Sequence, residues 1–459
     1  MLAAVLLFML SACVDVSRQS PVRRDARVPE TYAPSNSSSS NYNRRLSFNQ
    51  DGTFQISIFE DLHFGENAWD QWGPQQDINS VKVINAVLDS EAPNLVVLNG
   101  DLITGENTYL ENSTAYLDQI VGPLVSRGLP WASTYGNHDH NFNISGAGLL
   151  ARERRWPNSL TGNMVAGRNA GVTNYYLPVY AADCARSDCA PELVLWFFDS
   201  RGGFYFRERN ADGSEVGQPD WVDASVVQWF EATSAALRRR FHRPDGVDAS
   251  VVQWFEATSA ALRRRFHRVI PSLAFVHIPT NASLAVQGSV DAHRQPGIND
   301  DVPLAQQAQG WCADGSNGDE CVYGGQDEPF MKAVAATPGL IGLFSGHDHG
   351  ATWCYKWDGP VPGMTVAGNG LNICFGQHSG YGGYGSWIRG ARQLRVSSDV
   401  LRRHRWEAET WIRTEKGGVV GRVSLNATYG KDWYPATPDD KTYCPTCNYT
   451  VITPGPRRR

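Results

Sequence analysis

The sequence lacks a strong excess of charge of either sign. Its 41 basic and 47 acidic residues leave a formal charge of −6 over 459 residues. That charge is too small to bind nucleic acid or an anionic membrane surface by bulk electrostatics. Charged residues make up only 19% of the chain, whereas apolar residues make up 42% and aromatic residues 11%. This composition excludes an extended disordered chain and predicts a protein with a sizeable core.

The chain also lacks a long apolar run after its first residues, so the sequence predicts no transmembrane segment. Residues 1–18 contain an apolar stretch that ends in Ser11, Ala12 and Cys13. This pattern predicts a signal peptide, although a basic residue is missing at its start, and a lipoprotein-like anchor through Cys13 is the alternative. We therefore expect a secreted or vacuolar protein. Six potential N-glycosylation sites agree with that route: Asn36, Asn112, Asn143, Asn281, Asn426 and Asn448.

Cysteine is sparse but regularly placed. Apart from Cys13, the eight remaining cysteines fall in close pairs: Cys184/Cys189, Cys312/Cys321, Cys354/Cys374 and Cys444/Cys447. In an oxidising compartment this arrangement favours four local disulfides that staple loops. The alternative for Cys444 and Cys447 is a zinc-binding or redox-active pair, because two residues separate them.

A 25-residue segment occurs twice in succession, at 219–243 and 244–268, and the copies differ only where Trp221 is replaced by Gly246. The first copy predicts an amphipathic helix with Asp223 as its N-cap, since Val226, Phe230 and Leu237 recur at helical spacing. Two near-identical copies indicate a recent duplication or a gene-model error rather than a repeat architecture. We expect one copy to pack on a sheet and the other to bulge outward.

Polar side chains follow five apolar runs that read as buried strands. They are Asp61 and His63 in FQISIFEDLHFG, Asp101 in NLVVLNGDLITG, Asn137 to His140 in PWASTYGNHDH, His277 in SLAFVHIP, and His347 to His349 in GLIGLFSGHDHG. The carboxyl ends of parallel strands meet at one edge of an α/β sheet, where ligands bind. We therefore expect these side chains to converge.

The residue types in these segments indicate metal chemistry. A carboxylate and an imidazole two residues apart on an extended segment, as in Asp61 and His63, point the same way and can bind one ion. The same holds for His347 and His349, while Asp101 can bridge two ions and Asn137 adds a neutral oxygen. Oxygen and nitrogen ligands without thiolate suit two ions of Fe, Mn or Zn.

The ordered set DLH, GD, GNHD, H and GHDH resembles the calcineurin-like metallophosphoesterases. Within that family the chain is most similar to the purple-acid-phosphatase-like group of fungi and plants, in the subset with an Asp-x-His motif. The resemblance covers about residues 50–430. It includes LWFFDSRG at 195–202, FVHIP at 275–279 and CFGQHSGYGGYGSWIRGARQLRV at 374–396.

The resemblance implies an α/β (α+β) fold, a four-layer αββα sandwich of two mixed sheets with a dinuclear site at the C-terminal edge of the strands. It implies that the first metal binds Asp61, His63, Asp101 and His349, and the second Asp101, Asn137, His277 and His347. His138 would be the general acid, with Asp139 orienting its ring. The implied reaction is hydrolysis of phosphomonoesters by a metal-bridging hydroxide, on a phosphorylated small molecule or a phosphoprotein.

Two departures from the family pattern concern colour and substrate. Thr104 stands where purple members carry a tyrosine ligand, so the protein should not be purple. Thr280, Asn281 and Ala282 follow FVHIP where Leu-Pro-Glu is common, so the loop that faces the substrate differs. The alternatives are a phosphodiesterase or nucleotidase on the same fold, and an inert binding protein, which should have lost ligands.

These features predict the domain plan. A signal peptide occupies 1–18, a disordered linker 19–50, one metallophosphoesterase domain 51–430, and a cysteine-containing tail 431–459. The duplication lies inside the domain.

Overall fold

Two mixed β-sheets form the centre of the protein in a computed structural model that describes residues 45–69, 72–185, 189–240, 269–304, 308–312 and 321–443. Their strands are β1 Leu46–Ser47, β2 Thr53–Phe59, β3 Leu95–Asn99, β4 Trp131–Thr134, β5 Tyr175–Tyr180, β6 Leu193–Phe198, β9 Ser272–Val276, β10 Leu340–Ser345, β11 Cys354–Trp357, β12 Leu371–Phe375, β13 Gly390–Ser397, β14 Ala408–Thr414 and β15 Val419–Leu425. The first sheet has seven strands in the order β1-β5-β6-β9-β10-β12-β11. The second sheet has six strands in the order β15-β14-β13-β2-β3-β4. A separate hairpin consists of β7 Phe204–Arg209 and β8 Glu215–Gly217.

Helices cover the outer face of each sheet. The helices are α1 Trp72–Ser90, α2 Leu110–Ser126, α3 Gly146–Glu153, α4 Ala224–Arg240, α5 Asn281–Gln287, α6 Glu328–Ala336 and α7 Ser398–Arg402. Apolar residues of α1, α2 and α3 pack against β3 and β4 of the second sheet. Those of α4, α5 and α6 pack against β6, β9 and β10 of the first sheet. In the described part of the chain, no helix combines the length and apolar character needed to cross a membrane.

Strand β6 shows why the sheets are buried on both faces. Leu193, Leu195 and Phe197 point into the core between the two sheets, whereas Trp196 and Phe198 point outward. The Trp196 ring packs edge-on against Phe230 of α4, with ring centroids 4.8 Å apart. A strand covered on both faces needs an almost continuous apolar run rather than alternation. The predicted α/β sandwich of four layers, αββα, with two mixed sheets is confirmed.

The chain enters the fold earlier than the predicted linker boundary. Leu46 pairs with Val179 of β5, and Leu46 and Phe48 are buried in the core between the sheets. The linker prediction is therefore wrong for residues 45–50. At the other end, Tyr434 donates its backbone N–H to the carbonyl of His293 at 2.7 Å, so part of the predicted tail packs on the domain. The predicted signal peptide and residues 19–44 lie outside the described residues.

Three of the four predicted cysteine pairs are disulfides: Cys184–Cys189, Cys312–Cys321 and Cys354–Cys374. The first two staple loops as predicted. Cys354 and Cys374 instead face each other across the antiparallel strands β11 and β12, so the prediction of a loop staple is wrong for this pair. Two strand positions become neighbours only when the sheet forms. Cys444 and Cys447 lie outside the described residues, and three disulfides fit an oxidising compartment.

The glycosylation sites differ in accessibility. Asn281 begins α5 with only 7% of its surface exposed, so the folded protein leaves no room for a glycan there. Asn112, Asn143 and Asn426 are partly exposed. Asn36 and Asn448 fall outside the described ranges.

The first copy of the duplication forms α4 and the turn before it. Asp223 caps the helix as predicted, because its carboxylate accepts the backbone N–H of Ser225 at 2.9 Å. Val226 and Phe230 are buried against the first sheet. The second copy, 244–268, lies outside the described residues. Leu237 near the end of α4 and Ile270 just before β9 line the same small cavity, so a short connection can join the helix to the strand.

We expect deletion of residues 244–268 to leave the fold intact. Residues 241–243 and 269–271 would then join α4 to β9, which is a usual length for such a connection. The shorter loop should raise the free energy of unfolding by about 1–1.5 kcal/mol. Deletion of 219–243 instead yields the same chain with Trp221→Gly.

The second deletion protein should be less stable by about 1 kcal/mol, because the Arg201 guanidinium lies 5.5 Å from the Trp221 ring centroid. Urea unfolding of both deletion proteins measures the difference. An unfolded product from the first deletion would show that the second copy contributes to the fold.

Candidate metal centre

The predicted site residues all follow strand ends at one edge of the sandwich. Asp61 follows β2, Asp101 follows β3, Asn137 follows β4, His277 follows β9 and His347 follows β10. Their loops turn sharply. The backbones of Asp61, His63, Asp101 and His347 adopt φ angles of 52°, 49°, 50° and 75°. A non-glycine residue in this left-handed region costs about 1 kcal/mol or more, and such strain collects at functional sites.

Two glycines let the loops approach one another. A Cβ atom on Gly100 would lie 2.3 Å from Nδ1 of His277, and one on Gly136 would lie 2.2 Å from Oδ1 of Asp101. Neither contact is possible, so any larger residue would push the loops apart. Glycine is needed at both positions for close packing of the site.

Six of the predicted ligands form two adjoining groups. Asp61, His63 and His349 make up one group, and Asp101, His277 and His347 make up the other; within each, the ligand atoms lie within 4.8 Å of one another. The groups are in contact, since His63 Nε2 lies 3.8 Å from Asp101 Oδ2. Asn137 begins the next turn, in which the N–H of His138 donates to Asp101 Oδ1 at 2.9 Å.

The imidazoles are oriented from outside the groups. Nδ1 of His277 lies 2.8 Å from the carbonyl oxygen of Asn99, and Nδ1 of His349 lies 2.8 Å from that of Tyr384. A carbonyl oxygen only accepts, so Nδ1 carries a hydrogen and Nε2 is the nitrogen that faces the centre of the site. His63 Nδ1 lies 3.2 Å from Oγ1 of Thr104, which holds this third imidazole.

Two features of the site fit metal ions: buried polar atoms without a hydrogen-bond partner, and the negative charge of the acidic side chains. His63 Nε2 and Asn137 Oδ1 are buried without a hydrogen-bond partner among the described residues, which is costly unless an ion binds them. Burial would lower the pKa of His277, but Asp101 and Asp61 raise it to about 10, so the acids favour a positive charge here. Burial lowers the pKa of His347 to about 3, which leaves that imidazole neutral. The site is compatible with two metal ions.

The predicted partner of His138 is wrong. Asp139 accepts backbone N–H groups from Gly136, Leu102 and Ile103 at 2.9, 3.0 and 3.1 Å, and so joins the loops after β3 and β4. The His138 ring pairs instead with Glu106, at 2.7 Å from Nδ1 to Oε1. Burial lowers the pKa of His138, but Glu106 raises it to about 10.

Glu106 was missed because it lies within a loop rather than at a strand end. It sits in a short 3-10 helix, Gly105–Asn107.

His140 and Asp348 make different contacts. His140 Nε2 lies 3.0 Å from Asp199 Oδ1, and both side chains are buried. Both carboxylate oxygens of Asp348 are buried without a hydrogen-bond partner among the described residues. Burial and the charge of Asp301 raise its pKa well above the usual value.

A two-sheet sandwich with an Asp and His cluster at one edge defines the architecture of a metallophosphoesterase. The sequence profile of the calcineurin-like phosphoesterases matches residues 58–351, and the chain therefore belongs to that family. The predicted family is confirmed.

Relatives support the purple-acid-phosphatase-like group. The chain is 25% identical to the probable inactive purple acid phosphatase 29 of Arabidopsis thaliana, over 81% of this chain and 84% of that protein. It is 27% identical to phosphatase DCR2 of Saccharomyces cerevisiae, over 41% of this chain and 32% of that protein.

Among solved structures, a dimetal phosphatase from Danio rerio is 14% identical with a TM-score of 0.39, over 81% of this chain and 98% of that one. The purple acid phosphatase PPD1 of Lupinus luteus is 13% identical with a TM-score of 0.40, over 82% of this chain and 54% of that one.

Proposed function

We propose that the protein is a metal-dependent phosphatase that hydrolyses phosphomonoesters. The observation that carries the proposal is the convergence of six acidic and histidine side chains at one edge of the sandwich, with the partly exposed ring of His138 beside them. The ring centroids of His63 and His138 are 4.8 Å apart. The Arabidopsis relative is named a probable inactive purple acid phosphatase. This chain has every residue of the expected set, as an active enzyme requires.

In this proposal Asp61, His63, Asp101 and His349 bind the first ion, and Asp101, Asn137, His277 and His347 bind the second. Both are ions of Fe, Mn or Zn. Two bound cations neutralise phosphate oxygens and lower the pKa of water that attacks phosphorus. With a net charge of only −6 on the chain, phosphate affinity should come from this site rather than from a basic surface.

The protein's own groups would handle the proton. The His138 side chain is 23% exposed, so a substrate can reach its ring from the open side of the site. Because Nδ1 is paired with Glu106, Nε2 is the nitrogen that can give a proton to the leaving alcohol. Asp139 holds the turn that carries His138, and so places the donor without touching its ring.

The substrate is proposed to be a phosphorylated small molecule or a phosphoprotein, met outside the cell or in a vacuole. The three disulfides support that compartment.

A substrate panel tests the function. The full chain, supplied separately with Fe, Mn or Zn, should hydrolyse aryl and alkyl phosphomonoesters faster than a bis-aryl phosphodiester. Faster turnover of the diester would favour the phosphodiesterase alternative. Metal analysis that finds bound ions without any hydrolysis would favour an inert binding protein.

A further inference from the structure

A glycine-rich segment, residues 380–387, crosses the group formed by Asp61, His63 and His349; we call it the strap. The backbone N–H of Gly380 donates to the carbonyl oxygen of Asp61 at 3.1 Å. A Cβ atom on Gly383 would lie 2.4 Å from Cε1 of His349 and 2.8 Å from Cδ2 of His63. The strap backbone therefore lies directly against both imidazoles of this group.

Tyr384 of the strap contacts His349 in three ways. Its carbonyl oxygen lies 2.8 Å from Nδ1 of the imidazole. Its hydroxyl oxygen accepts the backbone N–H of His349 at 3.2 Å. Its ring stacks on the imidazole, with centroids 4.0 Å apart and planes 12° from parallel. A single residue, Tyr384, therefore sets the tautomer, the backbone position and the ring plane of His349.

A second ring also lies against the imidazole. The His378 ring is 3.8 Å from it between centroids and tilted by 36°, so His349 contacts two rings. Tyr384 itself remains 38% exposed. It is thus both a support for His349 and part of the accessible rim.

The strap is anchored to the rest of the fold. The buried guanidinium of Arg389 donates to the carbonyl oxygens of Trp387 and Gly385 at 2.5 and 2.9 Å. The hydroxyl of Tyr381 donates to Glu415 at 2.8 Å, and that of Tyr384 donates to Asp301. A support fixed in this way can hold an imidazole in one orientation.

The other imidazoles are held differently. His63 contacts the hydroxyl of Thr104 at 3.2 Å, and His277 contacts the main-chain carbonyl of Asn99 at the end of β3. Among the described residues, neither imidazole has a stacked ring like the one that Tyr384 provides for His349. We propose that Tyr384 is the positioning residue for His349 and sets the affinity of the group Asp61, His63 and His349 for its metal ion. This inference depends on one part of the proposed function, which is that the site binds metal ions. Outer contacts of this kind change metal affinity by about 10- to 100-fold.

Calorimetric titration of the chelator-treated full chain with Zn²⁺ tests the proposal without an activity assay. The unaltered protein should bind two ions. Tyr384→Ala should weaken the binding of one ion by about 10- to 100-fold and leave the binding of the other unchanged. The affinity of its remaining strong site should match that of the strong site in His349→Ala. Both variants keep the main-chain carbonyl, but Tyr384→Phe also keeps the stacked ring, so it should weaken binding of the same ion only a few-fold. This milder variant keeps the test decisive if Tyr384→Ala does not fold.

The matched control is Tyr434→Phe, which removes a tyrosine hydroxyl outside the strap, one that donates to Asp432 at 3.4 Å, and it should bind both ions as the unaltered protein does. Equal weakening by this control, or unchanged binding by both Tyr384 variants, would overturn the proposal. The unaltered protein could bind two ions, and Tyr384→Ala could lose one of them, while the unaltered protein hydrolyses no substrate. That outcome would support the role of Tyr384 and contradict the proposed function. Failure of the unaltered protein to bind Zn²⁺ would overturn both.

Discussion

Asp101→Asn should reduce kcat/KM for an aryl phosphomonoester by roughly a thousandfold or more, through loss of the charge shared by both metal sites. Asp101 Oδ2 lies 2.9 Å from His277 Nε2 and 3.8 Å from His63 Nε2. Although burial raises its pKa, the charges of His277 and His138 hold it well below the usual value, so the carboxylate is ionised. Asparagine keeps the shape and removes that negative charge.

The measurement is kcat/KM together with metal content, because the loss should appear in both. Asp399→Asn is a suitable control, since Asp399 is an exposed acid in the first turn of α7. It should leave both quantities unchanged. If Asp101→Asn kept its metal and its activity, the proposed ligand set would be wrong.

His138→Ala should lower kcat by about 10²- to 10⁴-fold, and Glu106→Gln should cause a smaller loss of the same kind. Both losses should be larger for an alkyl phosphate than for nitrophenyl phosphate, because a poor leaving group needs the proton and a good one does not. Glutamine can still accept a hydrogen bond from Nδ1, so the ring should keep its place. Only the charge that keeps the ring protonated is removed.

Rates with the two substrates, measured for each variant, give the comparison. Glu111→Gln serves as the matched control, because the side chain of Glu111 is 76% exposed and lies 3.9 Å from Arg207. It should leave both rates unchanged. A Glu106→Gln variant that loses the same factor with both substrates would show that Glu106 acts only on the structure of the loop.

Much of the fold could be predicted from the chain. Strands such as Leu193–Phe198 are apolar throughout because both faces are covered. The five polar segments follow strand ends, and parallel strands bring such ends to one edge. The helix cap at Asp223 and two of the disulfides depend on residues close in sequence, so short-range patterns were sufficient for them as well.

Several contacts could not be predicted, because they join segments far apart in the chain. Glu106 rather than Asp139 pairs with His138, since two 3-10 turns approach so closely that a Cβ on Gly105 would lie 2.4 Å from the carbonyl oxygen of His138. Cys354 and Cys374 meet through strand register. Tyr384 reaches His349 only after the strap folds back over the site.

The sequence by itself determined which residues stand at the strand ends and which chemical groups they carry, because burial and strand spacing are read within a few residues. Only the tertiary structure decided which groups touch. Hydrogen-bond partners depend on loop paths and sheet register, and the path of the loop after β3 brings Glu106 rather than Asp139 to the ring of His138.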